Sequence, residues 1–398
     1  MPFRPSWTRL STALAALVVI TLPAAASVSC GGSFDAFRAA MERDAVARGA
    51  DPRVAAQFFD GVRRDPAVIR ADRAQDIFQL PFVDFSRRLI SRSRIENGRR
   101  NAERHDSIFN RVAADYGIPR GVLLAFWAFE TDYGAVQGDY NTVNALMTLA
   151  HDCRRPDLFR PQVLSAVELF ARGDLDPDRT TGAWAGEIGM VQMLPSDILE
   201  HGRDGDGDGR VSLKSSPEDA LLSGAAMLAG YGWRPGEPWL REVTVPEGFD
   251  WALSGLDGGR PVAEWVALGV AARQGDLGPA DLQARLLVPQ GRRGPVFLAY
   301  PNLDVFFEWN QSFVYVMTAA YFATRLEGAP VYLAGDAELG LSDAEMRLLQ
   351  EKLAARGHDV GGIDGILGAM TRAAVQAEQE RLGLPADAWP TRELLDRL

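Results

Sequence analysis

A stretch that is apolar nearly all round, Gly121 to Phe129 (GVLLAFWAF), runs into a single carboxylate, Glu130, followed by Thr131-Asp132-Tyr133-Gly134. Helical spacing puts Glu130 on the face of Leu123, Phe126 and Trp127. A carboxyl beside aromatic surface is desolvated, which favours its neutral form and raises its pKa. That is the state a general acid needs near neutral pH. The competing reading is a carboxylate that caps the helix end or pairs with a cation there. Asp132 falls elsewhere on the helix and is expected to be structural. A second segment, residues 183–196 (AWAGEIGMVQMLPS), places Gly186 and Gly189 three apart, which allows a tight turn and close approach by a ligand. Gln192 offers an amide that both donates and accepts, suited to sugar hydroxyls and N-acetyl groups. Trp184 has a face that would stack on a sugar ring, with core packing as the equal alternative.

A third segment is acidic. Asp204, Asp206, Asp208, Arg210 through its backbone carbonyl, and Ser215 occupy positions one, three, five, seven and twelve of a loop with Gly209 at the sixth. That is the pattern of an EF-hand calcium loop, except that Ser215 stands where a bidentate Glu is usual. The expectation is a weak structural calcium site; the bland reading is an acidic loop that holds nothing.

The elements that carry these segments are mostly helices. From Phe34 to about Leu149 apolar residues recur at helical spacing, as in Phe34, Phe37 and Met41, with breaks near Gly49–Pro52 and Gly117–Pro119. Arg94–Arg111 reads as one polar, solvated helix. Between Arg241 and Pro301, Val243–Val245, Leu286–Val288 and Val296–Leu298 read as short strands among Gly/Pro turns. Helical periodicity returns over Phe306–Leu326. A polar linker over 328–340 then precedes a separate unit, 341–398, of three short helices. Met346, Leu349 and Leu353 line the first, Ala374 and Ala377 the second, and Leu394, Leu395 and Leu398 the third. So small a core suits a binding module better than an enzyme.

Composition sets the outer limits. The 398 residues carry 42 basic and 53 acidic side chains, a net charge of −11, which argues against nucleic acid as a partner. Four His and two Cys exclude a Cys-rich zinc module or a dense disulfide scaffold. Arg4 and Arg9, the uncharged run Leu14–Leu22 and the small residues Ala24–Ala26 have the form of a cleaved signal peptide over residues 1–26. Export to an oxidising periplasm favours pairing of Cys30 with Cys153; two unrelated thiols are the alternative. Lipidation of Cys30, giving an outer-membrane lipoprotein with weak membrane association, is disfavoured because Ser27 stands where a lipobox wants an aliphatic residue.

Taken together, Glu130–Gly134, Cys153-Arg154-Arg155-Pro156, Gly186–Ser196, Tyr231-Gly232-Trp233 and Trp309-Asn310-Gln311-Ser312 make the chain resemble the lytic murein transglycosylase B family over residues 33–327. The tail, with Gly361–Gly365, Gly368 and Thr371, looks like the small peptidoglycan-binding domain often joined to such enzymes. The resemblance implies a mainly α chain: a lysozyme-like α+β catalytic domain with a small β region, then a three-helix peptidoglycan-binding domain. It implies peptidoglycan glycan strands as the partner and no required cofactor, with the structural calcium left as an option. Glu130 would be the acid, then base, that cleaves between N-acetylmuramic acid and N-acetylglucosamine, leaving a 1,6-anhydro end. Arg154, Arg155, Gln192, Asn310 and Tyr315 carry over as substrate contacts, the arginines toward peptide or lactyl carboxylates.

Three positions depart from the family: Ala183 replaces Ser, Glu187 a small apolar residue, and Met227 a Tyr. A carboxylate at 187 that entered the cleft would hold a water and permit hydrolysis. The alternatives are therefore a lysozyme-type muramidase and a non-catalytic wall-binding scaffold. Oligomeric state is left open.

Overall fold

The computed structural model describes residues 28–74 and 80–398. The segment read as a signal peptide lies outside them. Helices α1 (Phe34–Ala47), α2 (Pro52–Phe59), α3 (Pro66–Arg73), α4 (Phe82–Leu89), α5 (Arg92–Arg104), α6 (Asp106–Tyr116) and α7 (Arg120–Thr131) come first. Strand β1 (Tyr140–Asn141) leads into α8 (Thr142–His151) and α9 (Pro156–Arg172), and pairs antiparallel with β2 (Thr181–Gly182). Helices α10 (Pro195–His201) and α11 (Pro217–Gly230) close this part. Then β3 (Leu240–Thr244), β4 (Arg260–Pro261), α12 (Val262–Ala267), β5 (Ala271–Ala272), β6 (Gln283–Leu287) and β7 (Phe297–Ala299) build a five-stranded antiparallel sheet in the order β4-β6-β7-β3-β5. The chain returns through α13 (Asn302–Trp309) and α14 (Phe313–Leu326), and ends in α15 (Asp343–Ala355), α16 (Ala369–Arg381) and α17 (Arg392–Arg397).

The apolar stretch does form the central helix: α7 buries its residues from Gly121 to Ala128 on all sides. Its main partner is α14, itself buried from Tyr315 to Ala323. The two backbones approach so closely at Gly121 that an added Cβ would lie 2.7 Å from the Ala323 carbonyl oxygen. Glu327 at the end of α14 accepts a hydrogen bond from the Gly121 amide (2.6 Å), satisfying one of the N–H groups a helix start leaves unpaired. A second apolar cluster, around Trp265, Leu286 and Tyr300, lies under the sheet, and a third fills the tail.

Several expectations change. Arg94–Arg111 is two helices, α5 and α6, broken at His105. One side of them is buried, through Gly98, Ile108 and Phe109, so the solvated reading holds for the other side only. The Phe306–Leu326 periodicity is likewise two helices meeting at a corner, Asn310–Ser312, which a run of apolar residues does not reveal. The strands fall slightly earlier or later than read, leaving Val245, Val288 and Val296 outside them. In the tail Ala374 is buried while Ala377 faces solvent; Val375 takes the core position instead.

Residues 328–340 pack against the body rather than hanging free. Tyr332 is buried with its hydroxyl 2.7 Å from Ser86 Oγ, the Leu333 amide donates to Glu242 (2.7 Å), and Arg293 pairs with Glu338 (3.1 Å).

Cys30 and Cys153 are joined, with Cα atoms 5.3 Å apart and a sequence separation of 123. Cys30 thus has no free sulfur for a lipid. Replacing both cysteines by Ser should cost about 2–5 kcal/mol, because it releases a loop of that 123-residue separation. An unchanged urea midpoint would contradict this.

Candidate active site

Glu130 is the penultimate residue of α7. The helix stops there because Asp132 and Tyr133 adopt left-handed backbone (φ 50° and 61°), with the Asp132 amide bonded back to the Ala128 carbonyl and the Tyr133 amide to that of Trp127. Arg94 of α5 holds Asp132 (3.0 Å), and the Tyr133 hydroxyl donates to the Arg94 carbonyl (2.8 Å). Asp132 is therefore structural, as expected. Thr131 donates to the Met190 carbonyl (2.6 Å), which ties the helix end to the 183–196 segment.

Two donors converge on one oxygen of Glu130. Tyr315 Oη donates to Oε1 at 2.5 Å and Trp309 Nε1 donates to the same atom at 3.0 Å. Phe126 stacks on Trp309 with ring centroids 4.2 Å apart, which orients the indole. Among the described residues Oε2 has no hydrogen-bond partner, and no cation pairs with the carboxylate. The helix-cap and salt-bridge reading of Glu130 is thereby set aside. Burial pushes the carboxyl up to about 7, against the two hydrogen bonds, which pull it down; the nearby charge of Glu187 adds to the rise. Burial and the neighbouring carboxylate push the Tyr315 phenol well above its ordinary value, so it stays a neutral donor.

The 183–196 segment is a tight hairpin in which Ile188 and Met193 exchange both backbone hydrogen bonds (2.8 and 3.1 Å). Its glycines serve close approach, but by the protein itself. A Cβ at Gly186 would collide with Leu146, and one at Gly189 would lie 2.5 Å from Leu213 Cβ. Gln192 also departs from expectation. It sits at φ 54°, and its amide nitrogen is committed to the Gly189 carbonyl (2.8 Å), leaving the amide oxygen as the group open to a ligand. Trp184 is half-buried against the core with the Arg155 guanidinium 6.0 Å from its ring. Burial raises the Glu187 carboxyl, with its own and the Ala185 backbone amides and Arg155 opposing; its Oε2 is closed off from solvent without a partner.

The expected role of the arginine pair changes most. Arg154 donates to the Asp72 carboxylate (2.6 Å) and Arg155 to its other oxygen, and Asp72 is 2% exposed. Burial alone would raise the Asp72 carboxyl, but the two arginines more than offset it and hold it below its usual range. The carboxylate these cations meet is internal, supplied by α3 some 80 residues earlier, where the sequence shows only one acid among several.

Asn310 caps the end of α13 and accepts from the Ser312 amide (2.9 Å), at the corner between Trp309 and Tyr315. Trp309 belongs to one of the family motifs but not to the site expected from the sequence. It lies six residues from Tyr315 and across a helix break, so nothing in its spacing aims it at Glu130.

In the acidic loop, Asp204, Asp206 and Asp219 bring carboxylate oxygens within 4.8 Å of one another. Asp208 and Ser215 are not in that group, and the Arg210 carbonyl is not among these carboxylate donors. Asp208 instead accepts from the Arg210 amide (2.9 Å). The third carboxylate of the cluster is Asp219, from the first turn of α11, which also accepts from the Gly205 and Ser212 amides (2.8 and 2.6 Å). Three hard oxygen donors suit calcium.

The chain matches two family models: the transglycosylase SLT domain over residues 33–324 and the putative peptidoglycan binding domain over 342–398. A curated relative, membrane-bound lytic murein transglycosylase B of Escherichia coli, is 26% identical over 243 residues, 59% of this chain and 64% of its own length. The crystal structure of SltB3 from Pseudomonas aeruginosa in complex with NAG-anhNAM-pentapeptide superposes with a TM-score of 0.84 at 37% identity, covering 92% of this chain and 99% of that one. Escherichia coli Slt35 in complex with calcium shares the fold at 21% identity (TM-score 0.63, 75% of this chain and 96% of that one).

A hydrogen bond to a charged group contributes about 1.5 kcal/mol or more, and one pKa unit is about 1.4 kcal/mol. Since Tyr315 stabilises the ionised form of Glu130, Tyr315→Phe should raise the Glu130 pKa by about one unit. Carbon-13 NMR of the labelled carboxyl measures this; a fall, or no change, contradicts the assignment.

Proposed function

The chain belongs to the transglycosylase SLT domain family, and from that premise we propose that it is an exported lytic transglycosylase that cleaves peptidoglycan glycan strands with Glu130 as its one acid–base group. The observation that carries this reading is the division of labour within the carboxyl: Oε1 saturated by Tyr315 and Trp309, Oε2 left to hold the proton.

Protonated Oε2 donates its proton to the glycosidic oxygen between N-acetylmuramic acid and N-acetylglucosamine. The C1–O4 bond breaks, the glucosamine leaves with a 4-hydroxyl, and positive charge develops at C1 of the muramoyl ring. The two donors on Oε1 act most strongly once Glu130 is ionised, so they favour the state that follows proton transfer. Oε2 then removes the proton from the muramoyl C6 hydroxyl as O6 bonds to C1. The 1,6-anhydro ring closes, Glu130 is again protonated, and no water is consumed. A carboxyl at about 7 is divided between its two forms near neutrality, as this double use needs.

A muramidase of the two-carboxylate kind needs a second acid placed to act on water or on C1. Glu187 fits that poorly, because its Oε2 is sealed from solvent. A non-catalytic scaffold has no use for a desolvated acid with two convergent donors. The anhydro-sugar in the SltB3 complex supports the ring-closed product by analogy.

Export to the periplasm is supported by the Cys30–Cys153 bond and by the location of the polymer; no helix among the described residues is long and apolar enough to cross a membrane. Residues 342–398 would bind the wall. Asp204, Asp206 and Asp219 would hold a structural calcium that braces the loop before α11.

Glu130→Gln should lower cleavage of sacculi by about 10²–10⁴-fold. Mass spectrometry of wild-type digests should find 1,6-anhydromuramoyl ends; reducing ends alone would overturn the lyase reading. Calcium at ten times its Kd should stabilise the protein by about 1.4 kcal/mol. Thermal melts should lose that shift with chelator or in Asp206→Asn, and calcium-indifferent melting would dismiss the site.

A further inference from the structure

The tail does more than sit beside the body. At their junction Arg372 of α16 lays its guanidinium 4.2 Å from the ring centroid of Phe313, the first residue of α14, and donates to the Pro289 carbonyl (2.9 Å). The Trp389 ring lies 5.8 Å from the same guanidinium, and the buried Asp387, whose charge Arg372 feels, accepts from the Arg292 amide (2.9 Å). Gln376 adds a bond to the Ser254 carbonyl (2.7 Å), and the fit at Gly291 is close enough that a Cβ would lie 2.7 Å from that of Trp389. The junction is a keyed polar joint.

Phe313 stands at a mechanically important place. It opens α14 at the Asn310–Ser312 corner, its ring packs 6.3 Å from that of Phe307 on α13, and Tyr315 follows two residues later. Trp309, on the other arm of the corner, and Tyr315 are the two donors to Glu130. Two cavities, of about 460 and 820 Å³, flank the junction, and both are lined by Phe313 and Arg372. The Phe313–Arg372 contact thus borders both clefts. Phe313 is buried in the main core, and on the tail side the group laid over its ring is the Arg372 guanidinium.

We propose that Arg372, in the peptidoglycan-binding tail, is a positioning residue for cleavage: by seating Phe313 it fixes the corner from which Trp309 and Tyr315 hold Glu130. The tail then completes the active site as well as anchoring the enzyme. The proposal rests on Glu130 being the acid. The guanidinium suits this role, because burial brings it down only to about 9, with Asp387 opposing, so it remains a cation at neutral pH.

The test uses the full chain. Arg372→Met should lower kcat on soluble glycan strands about tenfold with KM changed less than about twofold, since small displacements of acid–base groups act on the chemical step. Arg372→Lys, which keeps the cation, should recover most of the loss. Phe313→Leu should give a similar loss, and the double variant Arg372→Met with Phe313→Leu should be no worse than either single one. In nitrogen-15 spectra the Trp309 indole N–H, identified through Trp309→Phe, should shift in Arg372→Met and Phe313→Leu without substrate. Unchanged kcat, multiplicative losses, failed rescue by Lys, or an unmoved indole signal would each overturn the proposal. Should Arg372→Met not fold, Phe313→Leu carries the test alone. A wild-type protein that cleaves no glycan would defeat the enzymatic reading instead, while the indole signal would still report the coupling.

Discussion

Tyr315 and Trp309 reach Glu130 from 185 and 179 residues away in sequence, and the site exists only because α7 and α14 lie almost backbone to backbone. Gly121 permits that approach, and Glu327 of the partner helix then satisfies the amide that Gly121 presents. The same contact buries the C-terminal end of α7. Burial raises the Glu130 carboxyl, while two fixed donors pull it back. A carboxyl divided between its two forms near neutrality is the balance of these opposed effects, and neither would give it alone: burial without donors would leave the ionised form unsupported, and donors without burial would hold it ionised.

The opposite wall is built for rigidity. The hairpin over 183–196 is drawn against Leu146 and Leu213 by glycines that no side chain could replace without displacement, and Thr131 binds it to the end of α7. Arg154 and Arg155, two positive charges in an acidic protein, share one buried aspartate, which leaves one positive charge over. A charge inside the fold must be matched, and the two arginines match that of Asp72 before any ligand arrives. Near the cleft the pair therefore orders α3, the start of α9 and the Trp184 face in the first instance.

The acidic loop and the tail follow the same logic of elements supplied from a distance. Asp219 enters the carboxylate cluster from the start of a helix outside the twelve-residue pattern, so the loop departs from the EF-hand in the residue that closes it. The tail is keyed into the body by Arg372, Gln376 and Asp387, and residues 328–340 pack along the way. What reads as a linker by its polar composition is in fact a strap, because Tyr332 is buried in the body while Val331, Leu333 and Leu339 stay exposed, a division that composition does not announce.

Local chemistry was legible in the chain. The apolar helix ending in Glu130, the paired glycines, the cysteines and the three-helix tail each follow from periodicity, residue size or export, properties carried by neighbours in sequence. Helix breaks at His105 and Asn310 were less so, since a corner that keeps its apolar spacing looks like a continuous helix. What only the tertiary structure decided was partnership: Trp309 as a donor to Glu130, Asp72 as the anion for the arginines, Asp219 beside Asp204 and Asp206, and Arg372 upon Phe313. Hydrogen bonds and ion pairs are short-range, and residues far apart in sequence come within reach only after the core has packed. A sequence can therefore name the groups that need a partner, while the packed fold selects which partner each receives.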